Sequence, residues 1–370
     1  MYLKELTAKN FRNYSELNLQ FSHSLNFITG NNGIGKTNIL EIISILSGIK
    51  SFKNVNDLDI IKWGCDSYFC SGTVCFSDDM YTNYQVGCSV DNGKIRKKIK
   101  IDSSEIKKAS EYFGRLLTVV FLPSDINIIN GTPEIRRKFF DSIICKLDPK
   151  FLDTLNDFKK ILTSRNKILK NIKDKKISDI SQLSIWDNMF ADFSFEITQK
   201  RKTFIEQYNE VFLNSYEHIS GLNEAPDILY VPSIKTDGKS EVLKQLNERR
   251  FRDIACAATS MGPQRDDYMF LKNGINFVNY ASQGQKRTAA IALRIAENEL
   301  IERQLNCKSI LLVDDIFSEL DDNRKQNMIS ILSKGNQVIF TMVHEQNMDI
   351  SDDIEIKRIA LPLEIIKNNI

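Results

Sequence analysis

The chain has 370 residues, with 50 Lys plus Arg against 48 Asp plus Glu, a net charge of +2. That balance excludes a histone-like polycation and an acidic disordered tail protein, so a polyanion would have to be met by local basic clusters. The length suits about two domains, and 42 % hydrophobic with 26 % charged residues is an ordinary globular composition.

Residues 3–8, 17–21 and 25–29 read as short strands separated by Asn, Ser and His breaks. Residues 38–46 read as a helix with a wide apolar face formed by Ile39, Leu40, Ile42, Ile43 and Leu46. Residues 67–101 alternate around turn signals such as Asp91-Asn92-Gly93 and predict an antiparallel meander. From about Asp125 the character changes. Residues 134–220 hold one proline, Pro149, and no glycine, with apolar positions at helical spacing, which predicts three or four long helices. Residues 242–258 add another helix, and strand character returns at 266–271, 309–313 and 338–342. The expected architecture is a discontinuous α/β domain, residues 1–124 and 260–370, carrying a mostly helical insertion at 125–259.

The cysteines number seven and form no CxxC pair, which argues against a disulfide framework or a zinc ribbon. The start of the chain has no signal-like apolar core, and no apolar run approaches the ~18 residues of a membrane span. A cytoplasmic, reducing location without a membrane partner is expected.

Gly30, Asn31, Asn32, Gly33, Ile34, Gly35, Lys36 and Thr37 fit the phosphate-loop pattern G-x-x-x-x-G-K-S/T between a strand and a helix. Glycines let backbone N–H groups converge on phosphate oxygens, and the helix N-terminus adds free donors and partial positive charge. Lys36 is expected to reach the β- and γ-phosphates and Thr37 to hold Mg2+. The buried-strand pattern of residues 309–313 runs into Asp314 and Asp315. Asp314 is the expected Mg2+ ligand, and Asp315 is expected to act as base or water-orienting carboxylate. Ser282, Gln283, Gly284 and Gln285 open an Ala/Ile/Leu-rich helix 32 residues before Asp314.

Taken together these motifs resemble ABC-type ATPases. Ser282 to Gln285 resembles their signature, and Ser318, Glu319, Leu320 and Asp321 resemble their D-loop. The resemblance implies an ABC-type head with mixed sheets and an antiparallel meander. It also implies that two ATP molecules are sandwiched in a homodimer, each capped by the partner's signature. Gly35 to Glu41, GKTNILE, and Asn10-Phe11-Arg12-Asn13-Tyr14 are similar to the SMC-like branch, where the basic residue after Phe meets nucleotide phosphate, a role that carries over to Arg12. His344 follows the strand 338–342 about two residues off the place of the ABC-type switch histidine.

Within that branch, four stretches look like the RecF family of bacterial recombination mediators. They are Phe121 to Asp141 (F-L-P-S-D … G-T-P-E-I-R-R-K-F-F-D), Gly262 to Asp267 (G-P-Q-R-D-D), Ala281 to Arg287 and Leu311 to Asp321. Gln264, Lys53 and Ser124 stand where that family usually has His, Arg and Glu. This resemblance implies a weak, DNA-stimulated ATPase that holds gapped or single-strand–double-strand junction DNA. It further implies RecR and RecO as partners, RecA loading at gaps, and a place in the SOS response. A transporter ATPase or another SMC-like ATPase is the alternative.

Two basic stretches offer themselves to a phosphate backbone. Residues 159–176 hold eight Lys or Arg against Asp174, and residues 94–108 hold seven against Asp102 and Glu105. Lys97, Lys98, Arg136, Arg137, Lys159, Lys160, Arg165 and Lys167 are the candidate DNA contacts. No recognition-helix pattern occurs, so structure-selective binding is expected rather than base readout.

Overall fold

The computed structural model describes residues 1–53, 55–77, 80–91, 93–177, 179–221, 224–234, 238–343 and 354–362. His344 lies outside them. The chain divides into two compact units. The first comprises Met1–Asp125, His218–Gly221 and Ile291–Ile370; the second comprises Ile126–Glu217 and Leu222–Ala290.

The first unit holds two sheets. One is parallel, in the order Ile356–Ala360, Leu25–Thr29, Val338–Met342, Ile310–Asp314, Thr118–Phe121. Its inner strands are continuous apolar runs because both faces are covered; Ile310 to Val313 are at most 1 % exposed. The other sheet is antiparallel, in the order Tyr14–Gln20, Tyr2–Phe11, Ser67–Ser77, Met80–Asp91, Lys94–Ile101, Ser104–Glu105. The helix Lys36–Gly48 buries Ile39, Leu40, Ile42, Ile43, Ile45 and Leu46 completely. It shares one core with Leu3, Leu6 and Val86 of the antiparallel sheet and Ile28, Leu312 and Ile339 of the parallel one. Such all-round burial explains why apolar residues cover more of this helix than one stripe.

A buried amide ties the two sheets together. Gln337, 1 % exposed, precedes the strand Val338–Met342. Its Oε1 accepts from Leu3 N at 2.8 Å, and its Nε2 donates to Leu3 O at 2.8 Å and Ser22 O at 2.7 Å. The side chain stands in for a neighbouring strand at the irregularity between Leu3 and Glu5.

The second unit contains the helices Pro133–Leu147, Lys150–Lys173 and Lys239–Cys256, most of the helix Leu183–Ser220, and a three-stranded antiparallel sheet. Lys150–Lys173 turns Phe151, Phe158, Ile161, Arg165 and Leu169 inward. Phe139, Phe140, Phe204, Tyr208 and Tyr268 form an aromatic cluster with rings mostly edge-on or tilted. The strand Asp267–Lys272 pairs with Asp227–Val231, which the sequence reading had not found. This unit extends to Ala290.

Candidate functional site

The phosphate loop leaves the strand Leu25–Thr29 and enters the helix Lys36–Gly48 through Gly35, whose φ of 116° and ψ of 9° suit only glycine. A Cβ there would lie 2.6 Å from Asn13 Nδ2 and 2.7 Å from the Tyr14 hydroxyl. Asn13 closes the loop from the side. Its Nδ2 donates to Ile34 O at 2.8 Å and its Oδ1 accepts from Asn38 Nδ2 at 2.9 Å. The first helical turn itself carries no acidic side chain, as suits a helix N-terminus that is to receive an anion.

Lys36, 7 % exposed, donates from Nζ to Gly30 O at 2.5 Å and Asn31 O at 3.0 Å. Thr37 Oγ1 donates to Asp314 Oδ1 at 2.8 Å, and Thr341 Oγ1 donates to the same carboxylate at 2.6 Å. Asp314 ends the inner strand Ile310–Asp314, and the parallel register sets it beside Thr341. Asp315 follows in a left-handed conformation, φ 46°. Burial raises its pKa above the ordinary carboxylate range, neighbouring Asp314 adds to the rise, and Lys36 opposes it. Asn32, Gly33, Gly35, Lys36, Thr37, Asn38, Asp314 and Asp315 line one cavity of about 170 Å³. A hydroxyl beside a carboxylate is a hard-oxygen donor set that fits Mg2+ bound also through phosphate. The glycine-built cradle and the helix N-terminus fit a polyphosphate whose charge is shared with a cation on Asp314.

Arg12 sits at the edge of this loop but is already engaged. Its Nη2 and Nε donate to Glu41 at 2.7 and 3.1 Å, and its Nη1 donates to Asp59 O at 2.6 Å. Glu41 lies on the face of the helix that also carries Thr37. Sequence reasoning names it only as the end of the GKTNILE stretch and gives it no role, although a lone carboxylate among Ile39, Leu40, Ile42 and Ile43 is a visible signal. Another pairing missed in the sequence is Arg294, whose guanidinium forks onto Asp125 at 2.7 and 3.0 Å and reaches Glu297 at 2.9 Å.

The signature residues occupy the start of the helix Gln283–Leu305, in the second unit. Ser282 Oγ accepts from Gln285 N at 3.2 Å, and Gln285 Oε1 accepts from Ser282 N at 2.9 Å, a reciprocal capping box. Gly284 O accepts from the Thr288 hydroxyl at 3.0 Å, while Gln283 and Ser282 are exposed. In the D-loop region, Leu320 is buried, and Asp321 caps the helix Asp322–Leu332 by accepting from Arg324 N at 3.0 Å. The side chains of Ser318 and Glu319 lie outside what is described.

The basic candidates divide sharply. Lys98, Lys159, Lys160 and Lys167 are exposed. Lys97 is spent inside its own unit, donating to Ile49 O at 2.5 Å and Asp57 Oδ1 at 2.6 Å. Arg136 is forked onto Asp267 at 2.7 and 3.0 Å, and Arg137 donates to Asp266 O at 2.5 Å. Arg165 is fully buried between Asp187 at 2.8 Å and Asp253 at 2.9 Å. A residue with no exposed surface does not reach a DNA backbone, so Arg165 is corrected to an internal structural cation.

A head of this kind, with its phosphate loop on a parallel sheet flanked by an antiparallel one, defines the class: an ABC-type P-loop ATPase head of the SMC-like branch. The model of the RecF/RecN/SMC N terminal domain family matches residues 2–359. Relatives named DNA replication and repair protein RecF include one from Leptospira interrogans, 36 % identical over 341 residues, 92 % of this chain and 91 % of the relative. Another, from Thermoanaerobacter sp. (strain X514), is 35 % identical over 96 % of this chain and 98 % of its own length. The solved structure of the recombination mediator protein RecF-ATP in the RecFOR pathway superposes with a TM-score of 0.87 at 33 % identity, covering 95 % of this chain and 93 % of that one. The Smc head domain from Pyrococcus furiosus, at 17 % identity and a TM-score of 0.50, shares the fold. The chain belongs to the RecF family.

Proposed function

We propose that this protein is an ATP- and Mg2+-dependent DNA-binding protein of recombinational repair and replication restart. One observation carries the reading. Thr37, Asp314 and Thr341 converge beneath the phosphate loop, in the cavity that also holds Lys36 and Asp315. The relatives' names, and the ATP complex of the RecF structure, agree with it.

Lys36 exchanges the Gly30 and Asn31 carbonyls for the β- and γ-phosphates of ATP. Thr37 and Asp314 would hold Mg2+, whose charge would offset that of the phosphates. Asp315 orients the attacking water and takes its proton. Hydrolysis is slow and serves as a switch. Ser282 to Gln285 cap the γ-phosphate held by a second copy, with the D-loop beside them. ATP then touches both protomers when closed and one when open, and that differential affinity drives dimerisation. Exposed Lys98, Lys159, Lys160 and Lys167 contribute to holding gapped or junction duplex DNA on the closed dimer. The dimer works in the cytoplasm with RecR, and with RecO supports loading of RecA at gaps.

Anisotropy of labelled gapped duplex DNA tests this reading with ATP, with ADP, and with Lys36→Ala. Tight binding with ATP alone, lost in the variant, is expected. Equal binding in all three conditions refutes the switch.

A further inference from the structure

Glu41 is a carboxylate with no exposed side-chain surface on the helix that opens at the phosphate loop. Placing an anion there opposes phosphate binding unless its charge is more than offset. It is offset. Arg12 donates through Nη2 and Nε, Lys53 Nζ donates at 3.0 Å, and Ser51 Oγ donates at 2.5 Å. Burial alone would raise the Glu41 pKa, but the hydrogen bonds from Arg12, Ser51 and Lys53 outweigh it and hold the group below the ordinary range. Two cations against one anion leave one net positive charge beside the loop.

The contacts also close into a ring. Lys53 Nζ reaches Asn38 Oδ1 at 3.0 Å, Asn38 Nδ2 reaches Asn13 Oδ1 at 2.9 Å, and Asn13 follows Arg12 in the chain while holding Ile34 O of the loop. Arg12 itself sits at φ 51°, a left-handed backbone that an L side chain adopts only when its surroundings hold it. Burying a charge on this helix costs more than an apolar side chain of similar volume would. The ring therefore serves something other than packing.

We propose that Glu41 is a positioning residue of the nucleotide site: by anchoring the Arg12 guanidinium it holds the Arg12–Asn13 turn, whose Asn13 side chain grips the phosphate loop at Ile34, and ATP affinity depends on it through Arg12. The proposal rests on the ATP-binding reading above. Lys53 is the second cation on the same carboxylate, at 3.0 Å.

The test is a double-mutant cycle on the full chain, read as affinity for a fluorescent ATP analogue with Mg2+, with melting temperature measured without nucleotide. Glu41→Gln is expected to weaken binding about tenfold, the low end of what losing an orienting partner costs at metal sites. In an Arg12→Ala background the same change is expected to add less than about twofold, because the residue it acts through is gone. Glu41→Asp, which keeps the charge but draws it back by one methylene, carries the same expectation should Glu41→Gln fold poorly. A purely structural role moves the melting temperature while leaving affinity unchanged, or weakens affinity equally in both backgrounds, and either result overturns the proposal. Lys36→Ala, run alongside, separates the two layers. Undiminished ATP binding in Lys36→Ala sinks the nucleotide-site reading and this proposal with it. Loss in Lys36→Ala with no loss in Glu41→Gln sinks this proposal alone.

Discussion

Replacing Arg165 by Ala separates internal cations from surface ones. Arg165 is fully buried, and its partners Asp187 and Asp253 have side chains 5 % and 0 % exposed. Nε holds Asp187 at 2.8 Å, while Nη1 holds Asp253 at 2.9 Å and the Thr259 hydroxyl at 2.8 Å. Truncation leaves two buried carboxylates. Asp187 keeps a long contact with Arg250 at 3.5 Å, and Asp253 keeps Ser260 N at 3.1 Å. Breaking one side of a buried pair costs about 3–5 kcal/mol. The residual partners are too weak to recover much of that, so a loss of about 4 kcal/mol is expected. At roughly 2–4 °C per kcal/mol for a domain of this size, the melting temperature should fall by about 8–16 °C. Scanning calorimetry on Arg165→Ala, with Lys167→Ala as control, reads it directly. Lys167 is exposed on the same helix, so its loss should leave melting within about 0.5 kcal/mol while weakening salt-sensitive DNA binding. An Arg165→Ala protein that melts normally but binds DNA poorly would refute the reasoning.

Two further perturbations bear on the nucleotide site. Asp315→Asn should abolish hydrolysis while leaving ATP binding intact. Because burial and Asp314 raise the Asp315 pKa, its ionised form costs stability at neutral pH, so the neutral amide should also raise the melting temperature. In the protein without nucleotide or Mg2+, the Asp315 carboxyl should titrate above the ordinary aspartate value of about 3.9. Titration at or below that value, or hydrolysis surviving in Asp315→Asn, contradicts the assigned role. Gly35→Ala should lower ATP affinity and stability together. A methyl there meets Asn13 Nδ2 at 2.6 Å on a backbone already at φ 116°, a strain of about 1–3 kcal/mol. Isothermal titration showing unchanged affinity would contradict the tight packing of the Asn13 turn on the loop.

What could be read from the chain depended on how local the physics was. The strands Leu25–Thr29 and Val338–Met342 were found with their observed bounds because both are apolar runs covered on both faces. The phosphate loop was legible for a similar reason, since the strand, the glycines and the helix are adjacent in sequence. Arg165 misled because a run of basic residues carries no sign of acids brought in from positions 187 and 253. Asp227–Val231 escaped because five residues between Pro226 and Pro232 become a strand only by pairing with Asp267–Lys272. Gln337 reads as an ordinary polar residue, and only the fold reveals that it serves the backbone of Leu3 across two sheets.

The central claim is that one protomer's phosphate loop is completed by the signature of another. Mixing two inactive variants, Lys36→Ala and Ser282→Ala, tests it most directly. A mixed dimer contains one composite site in which Lys36 comes from one protomer and Ser282 from its partner, both intact. Light scattering and ATP turnover should show neither variant dimerising or hydrolysing alone, and partial recovery of both in the mixture. No recovery at any ratio, with each variant folded, would mean that the signature acts within its own chain.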